Sequence, residues 1–329
     1  MRSRAVFLAL LVPVVAACHD EKPKVETSGP ASAEPIPSDL VYNSFVESTK
    51  PTPTPTESSA SAAPTDTGST AKLDDAGADP KSPLRYAFGT KTRTVDAQLE
   101  NTIVGAPPGM PSPPPVHLVF TATPKPKSMM GKDATVDIKV TKFDITIPDG
   151  AGPSAAGQKA QLEKALTGLT GHFDVTQFGD IGQVTFDTDS LPRELAAASD
   201  KVAEALQLLV VPLPNEAVGV GAKWEKSDSK RLADQGATVS MKTVYTLVSR
   251  DAHSATIKVE VTGSGSGTDP RSKGATVAQN SSGTFTVVIP FDSVAQSITG
   301  QASQSITRKA AGEPDQGITI KETQKITSK

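Results

Sequence analysis

Val116-His117-Leu118-Val119-Phe120-Thr121-Ala122 is a segment whose residues alternate in character along the chain. Its even-numbered positions are all apolar, whereas the odd-numbered positions include His117 and Thr121. Successive side chains of a β-strand point to opposite faces of a sheet, so the segment predicts a strand with one buried face.

The same alternation recurs along the chain, which predicts a sheet of many strands. Polar residues occupy most of the opposite faces, as in an antiparallel sheet with one face in water. After Val140 the apolar phase shifts by one residue to Phe143 and Ile145, which predicts a β-bulge near Thr141-Lys142. We therefore expect a mostly β (α+β) fold built on a large curved antiparallel sheet. The further alternating segments carry Val136 and Ile138; Val239, Met241, Tyr245 and Leu247; Ile257, Val259 and Val261; Phe285, Val287, Ile289 and Phe291; and Ile318, Ile320 and Ile326.

Two segments have the spacing of amphipathic helices, and we expect both helices to pack on one face of the sheet. The first begins near Ser154, a residue type that caps helix N-termini. The second covers residues 191–211 and begins near Pro192, because proline fits the first turn of a helix. The apolar side chains of the first helix are Leu162, Leu166 and Leu169.

The second helix carries the candidate ligand-binding residues. Leu195, Val202, Leu206 and Leu209 form one apolar stripe along it. Two interpretations are open: the stripe fills the core against the sheet, or it lines a cavity that holds an acyl chain.

The first 17 residues have the three parts of a secretory signal peptide. Arg2 and Arg4 form a basic head, and the uncharged run from Ala5 to Ala17 is too short to span a membrane. The run ends in Val15-Ala16-Ala17-Cys18, which resembles the lipobox of bacterial lipoproteins. The resemblance implies cleavage before Cys18 and attachment of lipid to it; an ordinary cleaved secretory signal is the alternative.

Lipidation also explains why the chain has a single cysteine. The mature chain cannot form an internal disulfide, and acylation leaves no free thiol in an oxidising compartment. We expect Cys18 to anchor the protein to a membrane of the cell envelope. By the enterobacterial sorting rule, an Asp directly after the cysteine retains a lipoprotein in the inner membrane. His19 in that position favours the outer membrane.

The rest of the chain divides by composition. Residues 18–83 hold many Pro, Ser and Thr and few apolar residues, which predicts a disordered tether behind the lipidated cysteine. Residues 84–329 are expected to form the β-rich domain. A weak internal similarity suggests two repeated halves, 84–190 and 222–329, linked by the second helix; chance similarity between meandering strands is the alternative.

The residues argue against most catalytic chemistry, and we expect a protein that is not an enzyme and binds no metal or cofactor. The four histidines, His19, His117, His172 and His253, lack the spacing of metal ligands. The chain contains no Gly-x-Ser-x-Gly elbow between a strand and a helix. A net charge of −3 without a basic stripe argues against nucleic acid as a partner. Trp224, the single tryptophan, is expected to be a packing residue.

The segment from Pro212 to Trp224 resembles a sequence motif of poorly characterised bacterial envelope lipoproteins, in which the motif precedes the second half of a β-rich domain. The resemblance covers residues 84–329 and implies no activity and no catalytic residue. We expect a non-enzymatic lipoprotein that binds a hydrophobic ligand, such as a lipid, or an envelope protein. The alternative is a structural or assembly accessory lipoprotein without a small ligand.

Overall fold

The computed structural model describes the β-rich part of the chain with several gaps. The signal peptide, Cys18, the tether up to residue 69, Leu195 and Leu209 lie outside the described residues. Within the described ranges, no helix is both long and apolar enough to cross a membrane. These ranges are 70–105, 114–127, 132–146, 153–188, 199, 202–203, 206, 210–232, 237–268, 275–309 and 316–329.

The described residues form fourteen strands, consistent with the repeated alternation in the sequence. The strands of the first part of the chain are β1 (Lys72–Asp75), β2 (Ser82–Pro83), β3 (Arg93–Val104), β4 (Val116–Pro126), β5 (Ala134–Ile145), β6 (Thr170–Val175) and β7 (Thr185–Phe186). The strands of the second part are β8 (Ala217–Val218), β9 (Lys223–Leu232), β10 (Ala237–Arg250), β11 (Ser254–Thr268), β12 (Thr276–Pro290), β13 (Ser297–Lys309) and β14 (Gln316–Ser328).

Twelve of these strands belong to one antiparallel sheet in the order β1-β9-β10-β11-β12-β13-β14-β3-β4-β5-β6-β7. β2 and β8 form a separate two-stranded pair. The prediction of a mostly β fold with a large antiparallel sheet is confirmed. The pairing of β14 with β3 joins the strands from the two parts of the chain, and we call this strand pair the seam.

One face of the sheet, the inner face, carries the hydrophobic core. On β4 it presents the even-numbered residues from Val116 to Ala122, all of which are buried, as the alternation predicts. On β5 the predicted bulge is confirmed, because Val119 pairs with Lys142 and Phe120 pairs with Val140, which leaves Thr141 as the extra residue. The bulge keeps the apolar residues on both sides of it facing inward.

One helix, α1 (Pro153–Leu166), is delimited in the structure, whereas the sequence predicts two. It packs against β5, and its Leu162 and Leu166 are buried in the core. In the predicted second helix, 191–211, the described residues Ser199, Val202, Ala203 and Leu206 are helical. Val210 and Val211 are not helical, so the predicted end of this helix at 211 is wrong. The rest of that segment, 189–209, lies outside the described residues.

The folded part of the chain begins before Leu84, so the predicted extent of the tether, 18–83, is wrong at its end. β1 pairs with β9, and β2 pairs with β8. Leu73 of β1 packs against the core and lies opposite Trp224. The two strands are too short to show an alternating pattern, and the nearby prolines give the segment the composition of a linker.

The two predicted halves occupy different positions in the sheet. The first contributes β3 to β7 and has α1 inserted between β5 and β6, whereas β9 to β14 follow one another without a described helix. The internal similarity that predicts the repeat involves one stretch in each half. In the first half the stretch lies in and around β6 and β7, and in the second half it lies in and around β12 and β13. A duplication stays a prediction.

Candidate ligand-binding site on the inner face

Three polar side chains interrupt the apolar inner face at the seam. Asn101 on β3 lies directly opposite Glu322 on β14, and Gln324 is the next inward-facing residue of β14. Their exposed fractions are 8%, 3% and 5%. Directly opposite residues of an antiparallel pair have their Cβ atoms about 4.5–5.5 Å apart. We call these three residues the inner polar cluster.

The inner polar cluster satisfies only part of its hydrogen-bonding capacity. Gln324 Nε2 donates a hydrogen bond to Glu322 Oε1. Among the described residues, Glu322 Oε2 and Asn101 Oδ1 have no hydrogen-bond partner. Burial raises the pKa of Glu322 to about 7, and the hydrogen bond from Gln324 offsets this only in part. Most buried polar atoms in proteins have a partner, so two unpaired acceptors on opposite residues indicate a place where a donor belongs.

Most of the residues around the inner polar cluster on the inner face are apolar. Ala302 and Gly283 continue the row of Asn101 and Glu322 across β13 and β12. The Phe285 ring lies over Gly283 and over Gly300, since a Cβ added to either glycine would lie 2.9 Å or 2.4 Å from a ring atom. The glycines therefore let an aromatic ring lie against the sheet beside the polar side chains.

On the described strands β3, β13 and β14, no positively charged side chain lies next to the inner polar cluster. The inward-facing neighbours of the cluster on β3, β13 and β14 are Leu99, Ile103, Gly300, Ala302, Gln304, Ile320 and Ile326. An ionised carboxylate without a counter-ion is costly to bury. This absence agrees with the raised pKa of Glu322.

The two candidate residues that the structure describes, Val202 and Leu206, lie apart from the inner polar cluster. Val202 and Leu206 are buried in the core, with exposed fractions of 1% and 4%, whereas Leu195 and Leu209 lie outside the described residues. Leu206 lines a cavity of about 20 Å³ together with Phe120, Val210 and Gln296. A cavity of that size holds about one water molecule, so it has no room for an acyl chain in this conformation.

Sequence reasoning missed the inner polar cluster, although the sequence contains a signal for it. Glu322 and Gln324 occupy the inward phase of the strand that Ile318, Ile320 and Ile326 define. A carboxylate in the buried phase of a strand is rare unless it is paired.

Trp224 is a packing residue, as the sequence predicts. It is fully buried, stacks on Tyr245 with 5.7 Å between ring centroids, and donates from Nε1 to the carbonyl oxygen of Pro212 at 2.8 Å. The environment of its indole makes it an internal reporter of folding.

The described histidines lie apart from the inner polar cluster. His117 contacts Asp96 at 3.0 Å through Nε2 and Lys142 at 3.3 Å through Nδ1, while His172 and His253 are exposed. In the portion of the chain that the structure covers, no three His, Cys, Asp or Glu residues come together as a metal site.

No protein-family model matches the chain, and no curated protein matches it. Among solved structures, the chain has a distant likeness to an outer membrane channel from Pseudomonas putida F1. The sequence identity is 8%, and the match covers 76% of this chain and 100% of that chain. The TM-score is 0.15, so this likeness carries no argument about the fold or the function.

Proposed function

We propose that this protein is a non-enzymatic lipoprotein of the bacterial cell envelope, anchored through Cys18, whose β-rich domain binds a hydrophobic ligand on the inner face of its sheet. The observation that carries the binding role is the inner polar cluster. Its two buried, unpaired acceptors can orient a largely apolar molecule, as the few polar groups of a ligand site do.

The anchor rests on the sequence alone. Cys18 is the only cysteine and follows a signal peptide of suitable length. Several acyl chains together hold a protein stably on a membrane, since each buried methylene adds about 0.8 kcal/mol. The outer membrane is the proposed location because His19 follows the cysteine.

The anchor is tested by Cys18→Ala with radiolabelled palmitate and membrane fractionation. We expect the variant to incorporate no label and to leave the membrane fraction or remain unprocessed. His19→Asp is the matched variant for location, and it should keep its lipid but move to the inner membrane. A Cys18→Ala protein that is processed and fractionates like the wild type refutes the anchor.

The alternative is a structural or assembly accessory protein without a small ligand. It is favoured by the burial of Val202 and Leu206 in the core and by the small volume of the cavity beside Leu206. Organic extraction of the protein purified from its own envelope, followed by mass spectrometry, separates the two functions. A co-purifying amphiphile supports the binding role, whereas a clean extract together with one specific co-purifying protein supports the accessory role.

A further inference from the structure

We propose that the inner polar cluster is a recognition site for a protonated primary amine carried on an apolar chain. The inference rests on the proposed binding function and names the chemical class of its ligand.

The unpaired atoms define the complementary group. Glu322 Oε2 and Asn101 Oδ1 are both acceptors, so their partner must be a donor. They belong to directly opposite residues on one face of the sheet, so one group with two or more donors can reach both. A primary ammonium has three donors in a compact group, whereas a sulfate or phosphate ester offers mainly acceptors.

The charge balance favours a cationic donor over a neutral one. Glu322 has no described cation beside it on the inner face of β3, β13 or β14. The other ionisable groups placed on the inner face of the sheet lie farther away: Lys226 and Asp228 on β9, Tyr245 on β10, Arg308 towards the far end of β13, and Arg93 at the opposite end of β3 from Asn101, where it pairs with Asp292 at 2.8 Å. An ammonium at Glu322 supplies the missing counter-ion, and hydrogen bonds that involve ionised groups are about twice as strong as neutral ones.

The surroundings favour an apolar body behind the ammonium. Phe285, Ala302 and Ile320 flank the cluster on the inner face. In the described residues, β3 pairs with β4 only as far as Leu99, so Asn101 lies just beyond the point where the sheet narrows. The site thus combines the inner polar cluster with apolar side chains on the inner face, at the place where β4 stops pairing with β3.

A proton is the competitor of the amine. A neutral Glu322 can donate from Oε2 to Asn101 Oδ1, which satisfies both unpaired atoms without a ligand. Since burial raises the pKa of Glu322 to about 7, this internal pair is lost as the pH rises above that value. Amine binding should therefore strengthen from about pH 5 to about pH 8, as expected where proton and ligand compete for one carboxylate.

The test is calorimetric titration of the full mature chain, unacylated through Cys18→Ala, with octylammonium, octanol and octyl sulfate. At about pH 8 we expect octylammonium to bind about tenfold or more tightly than the other two probes, as a charge-assisted hydrogen bond in a buried site provides. Glu322→Gln should remove that preference, and Asn101→Leu should reduce it. Glu100→Gln is the matched control because Glu100 adjoins Asn101 but is exposed on the outer face. Trp224 emission verifies that each variant is folded.

The outcomes separate this inference from the proposed function. Equal binding of octylammonium and octanol, unaffected by Glu322→Gln, overturns the amine site and leaves a binding role intact. A preference that does not weaken from about pH 8 to about pH 5 also overturns it, since the proton then fails to compete. Absence of binding of all three probes, together with a clean organic extract, overturns both the site and the binding function.

Discussion

Replacing Glu322 by Gln is expected to remove a pH dependence from the stability of the protein. The carboxyl of Glu322 has a pKa of about 7 in the folded chain, against an ordinary value of 4.5. Its neutral form is therefore favoured in the fold, and the unfolded chain releases the proton at lower pH. Stability from this group is fully present below about pH 4.5 and is lost as the pH rises through about 7.

The size of this loss of stability follows from the folded and the ordinary pKa of Glu322. A rise in pKa from 4.5 to about 7 corresponds to about 3 kcal/mol of the free energy of unfolding. The wild type should lose about that amount, relative to Glu322→Gln, between about pH 4.5 and about pH 8. Asp144, Asp174 and Asp251 do not obscure the effect. Their pKa values are lowered from 3.8, so the stability they supply is lost as the pH falls below this window.

Urea unfolding followed by Trp224 emission measures the effect at a series of pH values. Glu100→Gln provides the control, because it removes an exposed carboxylate from the outer face of the same strand as Asn101. We expect the curves of the wild type and Glu100→Gln to stay parallel and to diverge from that of Glu322→Gln above about pH 5. Parallel curves for all three proteins would show that Glu322 is ionised in the fold at neutral pH and would refute the reasoning.

Four further predictions concern packing and backbone, and urea unfolding measures each. Leu206→Ala should cost about 2–5 kcal/mol, because the side chain is buried in the core; little loss of stability would favour the cavity-lining interpretation of its stripe. Gly300→Ala should cost about 1–3 kcal/mol, because its Cβ would lie 2.4 Å from an aromatic ring and from a carbonyl oxygen. Gly157→Ala should instead stabilise the protein by about 0.5–1 kcal/mol, because position 157 of α1 is exposed and has open space around it; equal effects of the two substitutions would contradict both arguments. Deleting Thr141 should be tolerated better than deleting Lys139, since only the first deletion removes the bulge and keeps the inward phase; the opposite order would contradict the assigned register.

The sequence pattern predicts those elements that are determined by the burial of one of their own faces. Alternation identifies β4 and β5 because one face of each is buried. The shift of the apolar phase in β5 locates the bulge at Thr141, because one extra residue there keeps both Val140 and Phe143 on the inner face. The apolar spacing of α1 likewise reflects the burial of one side of that helix.

Other features depend on which strands become neighbours, and local patterns carry little information about that. β1 is four residues long, so its place beside β9 follows from packing of Leu73 rather than from alternation. The inner polar cluster was missed for the same reason. The local pattern places Glu322 in the inward phase of its strand, but only the pairing of β14 with β3 shows that Asn101 lies opposite it and that no cation lies beside it.

The seam has a consequence for how the chain assembles. β14, the last strand, lies between β13 and β3, so the edges of both stay open until residues 316–328 arrive. Pairing between residues as far apart as 101 and 322 forms slowly, because a long loop must close first. A chain truncated before β14 therefore presents two long unpaired edges, to which β14 of an intact copy can be donated. We therefore expect a chain that has lost residues 316–328 to exchange strands with intact copies.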